Sequence, residues 1–233
     1  MTRAQKARRI ERTLDRLYPD AGIPLEHVDP YTLLVAVVLS AQCTDQRVNL
    51  VTPGLFARYP AAADLATADS AELEELIRST GFFRAKARSL IHCAQAVVRD
   101  HGGQVPARMD ALVKLPGIGR KTANVVLGHA FDVAAEGIAV DTHVLRVAER
   151  LGLSAGDDPL GVERRLISLL PQARWTRTSD LLIFHGRKLC DARRPACDRC
   201  PVFDLCRWPQ RQAVALGAAA ASPAPRRRKV ARA

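Results

Sequence analysis

Apolar residues recur at helical spacing along most of this chain. Near the N-terminus, Ala7, Ile10, Leu14 and Leu17 fall three or four positions apart among charged residues, which predicts an amphipathic helix. No segment alternates apolar and polar residues as a half-buried strand would. The pattern predicts an all-α fold, with further helices over residues 45–58, 70–79, 82–100, 119–131, 141–151, 159–170 and 178–190.

Three of these segments carry local signals of their own. The run from Tyr31 to Leu39 is apolar on every side, so periodicity alone does not distinguish a buried helix from a buried strand. We predict a helix because the run continues through Gln42 without a turn signal. Pro53, followed by glycine, predicts a kink or an early end of the helix over 45–58. Ser70 is the predicted N-cap of the next helix.

The formal net charge of +11 in 233 residues suggests a polyanionic partner, although about half of that charge is concentrated at the C-terminus. Six of the charges lie in the last 23 residues, which contain no acid, so the other 210 carry an excess of only five. The segment 210–233 is rich in Ala, Pro and Arg and is predicted to be disordered. It is either a solvated tail or a basic arm that adds salt-sensitive affinity for nucleic acid.

The chain shows no membrane or export signal. No stretch of 18 apolar residues is present, so we expect no membrane span, and the N-terminus lacks the apolar region of a secretory signal. A cytoplasmic, nucleoid-associated location is therefore expected. In such a compartment six cysteines argue against a disulfide framework.

Four of the cysteines crowd together near the C-terminus with the spacing C-x6-C-x2-C-x5-C: Cys190, Cys197, Cys200 and Cys206. Structural zinc usually takes its cysteines as two separated pairs, whereas these four come from one continuous stretch, which favours a [4Fe–4S] cluster over zinc. Arginines at 193, 194, 199 and 207 could offset the negative charge of the cluster. The other two cysteines, Cys43 and Cys93, stand in apolar surroundings and are predicted to be inert core thiols.

The segment Lys114–Leu127 (KLPGIGRKTANVVL) combines a glycine turn with the start of a helix. Gly117 and Gly119 allow positive φ and close approach of the backbone to another molecule. The helix that follows offers unpaired N–H groups and a partial positive charge to an anion. Arg120 and Lys121 stand at this end although each opposes the helix dipole by about 0.3–1 kcal/mol, which suggests a function.

Lys121 and Asp141 each have an ordinary and a chemical interpretation. Lys121 could be an exposed helix lysine, but the helix N-terminus and Arg120 both disfavour an ammonium, and the neutral amine is the form that attacks carbon to make a Schiff base. Asp141 stands where an N-cap is expected, a role worth about 1 kcal/mol. A carboxylate fixed at a helix terminus can also take part in catalysis.

Four motifs occur together in this order: SAQCTD (40–45), LPGIGRKTAN (115–124), VDTHVLRV (140–147) and the cysteine spacing. In combination they resemble endonuclease III, the helix–hairpin–helix base-excision DNA glycosylase. The resemblance extends over about residues 5–208, nearly all of the chain that is predicted to be ordered.

The resemblance implies an all-helical fold of two lobes with a DNA cleft between them. A six-helix lobe over 25–134 would carry the helix–hairpin–helix, with its hairpin at about 113–124. Residues 1–24 and 135–209 would form the iron–sulfur lobe, followed by the tail over 210–233.

The resemblance also assigns roles to single residues. Lys121 would be the nucleophile and Asp141 its acidic partner. Gly117 and Gly119 would present amides to a phosphate, and Arg120 would contact a phosphate or modify Lys121. Gln42 would fill the gap left by a flipped base, Phe82 would be an apolar wedge where the family often has leucine, and His143 would reach a phosphate or be a half-buried helix histidine.

The implied activity is removal of oxidised pyrimidines such as thymine glycol, followed by cleavage of the abasic site through a lysine Schiff base. The expected partner is damaged double-stranded DNA, bound by a monomer. Two alternatives stay open: a monofunctional adenine-type glycosylase, which shares the hairpin, the aspartate and the cluster but lacks the lysine, and a non-catalytic hairpin module that docks on DNA.

Overall fold

The structure, a computed structural model, describes residues 1–131, 135–156 and 158–217. Within these ranges it is helical and contains no β-strand, which confirms the predicted fold class. The chain divides into two compact units. The hairpin unit comprises Gly22–Ala139 and Gln172–Thr176, and the cysteine unit comprises Met1–Ala21, Val140–Pro171 and the described residues from Arg177 onward. No described helix is both long and apolar enough to cross a membrane.

Seven α-helices lie in the described part of the hairpin unit. They are α2 (Pro30–Leu39), α3 (Asp45–Arg58), α4 (Ala62–Ala66), α5 (Ser70–Ile77), α6 (Phe83–His101), α7 (Met109–Leu112) and α8 (Arg120–Ala130). Helix α2 packs against α3, α6 and α8, and α6 also packs against α4 and α5. Eight of the ten residues of α2 are buried, which explains why its sequence is apolar on every side.

Three local predictions in this unit need correction. Helix α2 ends at Leu39, so Gln42 lies in the following turn and not on a helix. Helix α3 does not end early, since it continues through Pro53 to Arg58, with buried residues on both sides of the proline. The N-cap of α5 is Asp69, one residue before the predicted serine, because its carboxylate accepts from the backbone N–H of Glu72 at 2.9 Å.

The cysteine unit contains α1 (Arg3–Leu17), α9 (Thr142–Leu151), α10 (Pro159–Ile167), α11 (Trp175–Lys188) from Arg177 onward, and α12 (Arg211–Ala215). Helix α1 begins in a capping box between Thr2 and Gln5, and its end is held by Arg177, whose guanidinium donates to the carboxylate of Asp15 and to the carbonyl of Tyr18. These contacts make the amphipathic N-terminal helix part of the unit.

The predicted disordered tail from residue 210 begins with structure instead. Helix α12 packs against the 3-10 turn Cys197–Arg199, and Arg211 NH1 donates to Trp208 O at 3.3 Å. The arginine also stacks over the ring of Phe203. Composition alone missed this helix because Arg211 holds it through a backbone carbonyl and one aromatic ring, and not through an apolar face. The remaining residues, 218–233, lie outside the described ranges.

Candidate functional site

The hairpin before α8 is a tight turn held by two buried side chains. Ile118 N–H donates to Leu115 O at 3.1 Å, and these two side chains are only 5% and 3% exposed. Pro116 and Gly117 occupy the centre of the turn, with Gly117 at φ +79°. Proline followed by a residue of positive φ is typical of a type II turn. The conformation of the hairpin therefore follows from its own sequence and its anchors in the core.

The two hairpin glycines differ in their backbone requirement. Gly117 has positive φ, whereas Gly119, the N-cap of α8, has φ −89°, which any residue can adopt. A Cβ added at Gly119 would meet nothing within 4 Å, but one at Gly117 would lie 3.2 Å from Ser89 Cβ. No hydrogen bond donated by the backbone N–H of either glycine occurs among the described residues. Both amides are thus able to bind an anion, although only Gly117 is required by conformation.

Lys121 stands in the first turn of α8, just before the buried part of that helix. Its side chain and that of Arg120 are exposed, and the first turn of α8 contains no acidic residue. Residues 123–127 are buried, and Asn124 Nδ2 donates to Ile138 O at 3.3 Å. The helix therefore presents Lys121 to solvent beside the hairpin amides, in the positive field of its own N-terminus.

Asp141 is the N-cap of α9 and is only partly exposed. Its Oδ1 accepts from the backbone N–H groups of His143 and Val144, both at 2.8 Å. Both bonds use the same oxygen, so the capping role leaves Oδ2 for another partner. The predicted cap is present, and its geometry is compatible with a second, chemical role for the carboxylate.

His143 is half-buried in the first turn of α9, where its Nδ1 lies 3.1 Å from Arg146 NH2. Burial lowers its pKa, and so do Arg146 and Arg187, while Asp141 acts in the opposite direction. A hydrogen bond to the backbone of Gly186 also raises this pKa, so the ring has partners on both α9 and α11.

Gln42 and Phe82 share an unusual backbone conformation. They are the only non-glycine residues with positive φ in the described ranges, at +53° and +48°. Such a conformation costs roughly 1–3 kcal/mol for each residue, and residues that keep it cluster at active sites and ligand-binding sites. Both side chains are exposed, Phe82 by 67%. Each therefore projects from a strained turn into solvent, and nothing in the sequence pattern had indicated this shared conformation.

The four C-terminal cysteines line one cavity, which has an empty volume of about 360 Å³ that is partly open to solvent. No three metal-binding side chains in the described part of the chain converge closely enough to hold a single ion. Four cysteines around one cavity match the four cysteine ligands that a cubane cluster takes.

Arg150 lines this cavity and donates hydrogen bonds to the cysteine loop. It is only 9% exposed, and it donates to Cys190 Sγ at 3.4 Å, to Asp191 O at 2.7 Å and to Ala192 O at 2.9 Å. The charge offset was predicted for arginines inside the cysteine loop. Arg150 was missed because it stands on α9, forty residues earlier in the chain, and carries no local signal.

Two further residues were not predicted from the sequence: His185, which lines the cavity, and Arg146, which contacts the backbone of Cys190. His185 on α11 is 1% exposed, and its Nε2 lies 3.7 Å from Cys200 Sγ. Arg146 Nε donates to Cys190 O at 3.1 Å. Arg146 and Arg150 are four residues apart on α9, and this spacing alone indicates that both arginines lie on one face of the helix.

Comparison with known proteins gives two family matches. Residues 35–172 match the HhH-GPD superfamily of base excision DNA repair proteins, and residues 190–206 match the iron–sulfur binding domain of endonuclease III. The second match begins and ends at the outer two cysteines of the cluster motif.

Individual proteins agree with these matches over almost the whole chain. The chain is 51% identical to endonuclease III of Synechocystis sp. over 205 residues, which cover 88% of this chain and 93% of the relative. It is 46% identical to endonuclease III of Bacillus subtilis, with 88% and 94% covered. A solved structure of a trapped endonuclease III–DNA covalent intermediate superposes with a TM-score of 0.85 at 43% identity, covering 91% of this chain and all of that one.

Proposed function

Since the chain belongs to the HhH-GPD superfamily of base excision DNA repair proteins and, within it, to endonuclease III, we propose which of its residues perform the glycosylase and lyase reactions. The protein is a bifunctional DNA glycosylase and abasic-site lyase with a [4Fe–4S] cofactor. Its substrates are oxidised pyrimidines of the thymine glycol type and abasic sites in duplex DNA.

The hairpin binds the DNA backbone. The amides of Gly117 and Gly119 donate to one phosphate, which the N-terminus of α8 also attracts. Arg120 adds a cation beside them. His143 reaches a second phosphate from the first turn of α9.

Gln42 and Phe82 enter the base stack when the damaged nucleotide leaves it. An exposed amide can replace the hydrogen bonds of the lost base, and an exposed aromatic ring can wedge between base pairs and kink the duplex. Extruding a nucleotide costs a few kcal/mol, and this cost is lowest for poorly stacked lesions. Strained turns that already project both side chains reduce the reorganisation required on binding.

The chemistry begins at Lys121. Its neutral amine attacks C1′ of the extruded nucleotide, the bond from C1′ to the base breaks, and the base leaves with the bonding electrons and a proton. Asp141 stabilises the positive charge that develops at C1′ and transfers the proton that the lysine loses. The bond from C1′ to O4′ then breaks, O4′ takes a proton from water, and the sugar ring opens to a protonated Schiff base between C1′ and Lys121.

The Schiff base makes the C2′ hydrogen acidic. Its removal as a proton forms a double bond between C2′ and C3′, and the bond from C3′ to the phosphate oxygen breaks by β-elimination. Water then hydrolyses the remaining imine and regenerates the free lysine.

Cys190, Cys197, Cys200 and Cys206 ligate the [4Fe–4S] cluster. When bound, the cluster supplies a rigid cross-link that holds the loop between α11 and α12. Arg150 and Arg146 neutralise part of the negative charge of the thiolates.

One observation carries this assignment: an exposed lysine at the second position of α8, directly after two hairpin amides without hydrogen-bond partners in the described structure. A non-catalytic hairpin needs the amides but not the lysine. An adenine-type glycosylase also has no nucleophilic lysine in this position.

The test is reductive trapping. The protein is incubated with a duplex that contains one thymine glycol, in the presence of borohydride, which converts the Schiff base to a stable amine. We expect a covalent adduct that is lost in Lys121→Ala and kept in Lys114→Ala, a change of another exposed lysine of the same segment. Base release without an adduct would identify a monofunctional glycosylase, and binding without base release a docking module.

We further propose that the enzyme acts as a monomer in the cytoplasm, associated with the nucleoid. All the residues assigned above come from one chain. Light scattering during gel filtration, with and without a damaged duplex, measures the mass of the free and bound forms. A mass of two chains on one duplex would contradict the proposal.

A further inference from the structure

Lys86 on α6 is a buried lysine in the hairpin unit, only 6% exposed. Its Nζ donates to two backbone carbonyls, Leu39 O at 2.8 Å and Thr80 O at 2.7 Å. Burial lowers its pKa, which reflects how poorly the surroundings solvate its charge. Burying a charged amine costs free energy, and hydrogen bonds to the two carbonyls offset part of that cost. An apolar side chain at this position would avoid the cost, which suggests a role for the hydrogen bonds themselves.

The two carbonyls belong to two separate turns. Leu39 is the last residue of α2 and stands three residues before Gln42, and Thr80 stands two residues before Phe82. These are the turns that end in the two strained residues of the unit. The backbone N–H of Lys86 also donates to Phe82 O at 3.0 Å. Lys86 therefore touches both turns, and it is placed at the base of each.

We infer that Lys86 is a positioning residue that ties the Gln42 turn to the Phe82 turn, so that both side chains enter the duplex in one fixed geometry. This inference rests on the proposed roles of Gln42 and Phe82. Lysine suits the task because one ammonium carries three donors on a flexible stem and can bond two carbonyls that approach from different elements.

The effect of substituting Lys86 on DNA binding should depend on the side chains of Gln42 and Phe82. Lys86→Met keeps a similar length but removes both hydrogen bonds, which frees the two turns to move separately. Binding to a duplex that contains a tetrahydrofuran abasic analogue should weaken roughly tenfold, the size expected when preorganised contacts are lost. A 2-aminopurine base opposite the analogue should brighten less on binding, because its neighbours are unstacked less completely.

The test is a double-mutant cycle on the Kd for that duplex. Four proteins are compared: the unchanged chain, Lys86→Met, the double variant Gln42→Ala/Phe82→Ala, and the triple variant. If Lys86 acts through the two wedge residues, its substitution weakens binding in the unchanged chain but by less than about twofold when both wedges are absent. An equal loss in both backgrounds, or a double variant that binds as tightly as the unchanged chain, overturns the inference.

Two further variants separate positioning from general stability. Leu73→Ala removes a fully buried side chain of α5, in the same unit, and should lower the melting temperature without a comparable change in Kd or in the 2-aminopurine signal. Lys86→Gln retains hydrogen-bond donors and serves if the methionine variant does not fold. Any loss of binding in this variant should also depend on the side chains of Gln42 and Phe82. An equal loss of binding with and without those side chains would overturn the inference.

Reductive trapping in the same proteins distinguishes this inference from the proposed function. A chain that forms no adduct through Lys121 contradicts the proposed chemistry. A chain that forms the adduct but shows additive effects contradicts only the role of Lys86.

Discussion

The guanidinium carbon of Arg150 lies 4.2 Å from the centroid of the Trp208 ring, and the same guanidinium contacts Cys190 Sγ. Arginine is suited to this site because its planar fork stacks on an aromatic face while donating to several acceptors. One residue of α9 thus holds both ends of the cysteine loop.

Arg150→Lys should weaken retention of the cluster. A lysine keeps the charge but cannot make the stacked, forked contacts, and the carbonyls of Asp191 and Ala192 would lose their donors. We expect a loss of about 2–4 kcal/mol in the free energy of unfolding of the cluster-loaded protein. Iron content, absorbance near 400 nm and the melting temperature measure the effect.

Arg164→Lys is the matched control because Arg164 belongs to the same unit. Its side chain is 74% exposed, and its contact with the carboxylate of Asp158 is long, at 3.8 Å. Exposed pairs of this kind contribute little. Equal loss of iron in the two variants would contradict the prediction that the contacts of Arg150 help to retain the cluster.

The two hairpin glycines should respond differently to alanine. Gly117→Ala forces an L-residue to positive φ and presses its Cβ against Ser89, so it should destabilise the protein by about 1–2 kcal/mol. Gly119→Ala meets no atom and needs no backbone change, so its melting temperature should be within a degree or two of the original.

Both alanines should nevertheless weaken DNA binding, because each methyl group would lie beside an amide that we propose donates to phosphate. Fluorescence anisotropy with an abasic-analogue duplex and thermal unfolding measure the two properties separately. If Gly119→Ala binds as tightly as the unchanged protein, no phosphate approaches that position.

Asp141→Asn should separate capping from chemistry. The amide oxygen of asparagine can still accept from the N–H groups of His143 and Val144, so the free energy of unfolding should change by only a few tenths of a kcal/mol. The lost charge should lower the single-turnover rate of base excision at least a hundredfold.

Asp141→Ala gives the comparison, since it removes the cap as well and should cost about 1 kcal/mol more stability than the asparagine variant. Excision by Asp141→Asn at close to the original rate would leave Asp141 with the capping role alone.

The lowered pKa of His143 makes the cysteine unit sensitive to acid. A histidine whose pKa is lower in the folded than in the unfolded state contributes fully above the unfolded value of about 6.5. Its contribution is lost as the pH falls from there through the folded pKa, because protonation favours the unfolded chain. The surrounding charges are Asp141, which opposes the shift, and Arg146 and Arg187, which add to it.

The drop in melting temperature between pH 7.5 and pH 5.5 should therefore be smaller in His143→Gln than in the unchanged protein. His185, whose pKa burial lowers to about 4, is present in both proteins and cancels in the comparison. An identical drop in the two proteins would mean that His143 does not titrate differently on folding.

The sequence by itself determined the helical class, the hairpin and the iron–sulfur motif. These are local properties: helical spacing sets which face is buried, Pro116-Gly117 selects its own turn, and cysteine spacing restricts the kind of metal group. The N-cap at Asp141 was also visible, because capping involves only the next three residues.

Only the tertiary structure decided which residues support these motifs. Arg150 reaches the cysteine cavity from α9, and Lys86 reaches two turns that precede it by up to 47 residues. The positive φ of Gln42 and Phe82 is likewise imposed from outside, since neither residue type favours it locally. Contacts between distant segments form only when the chain is packed, and a buried charge can be recognised only when its partners are in place.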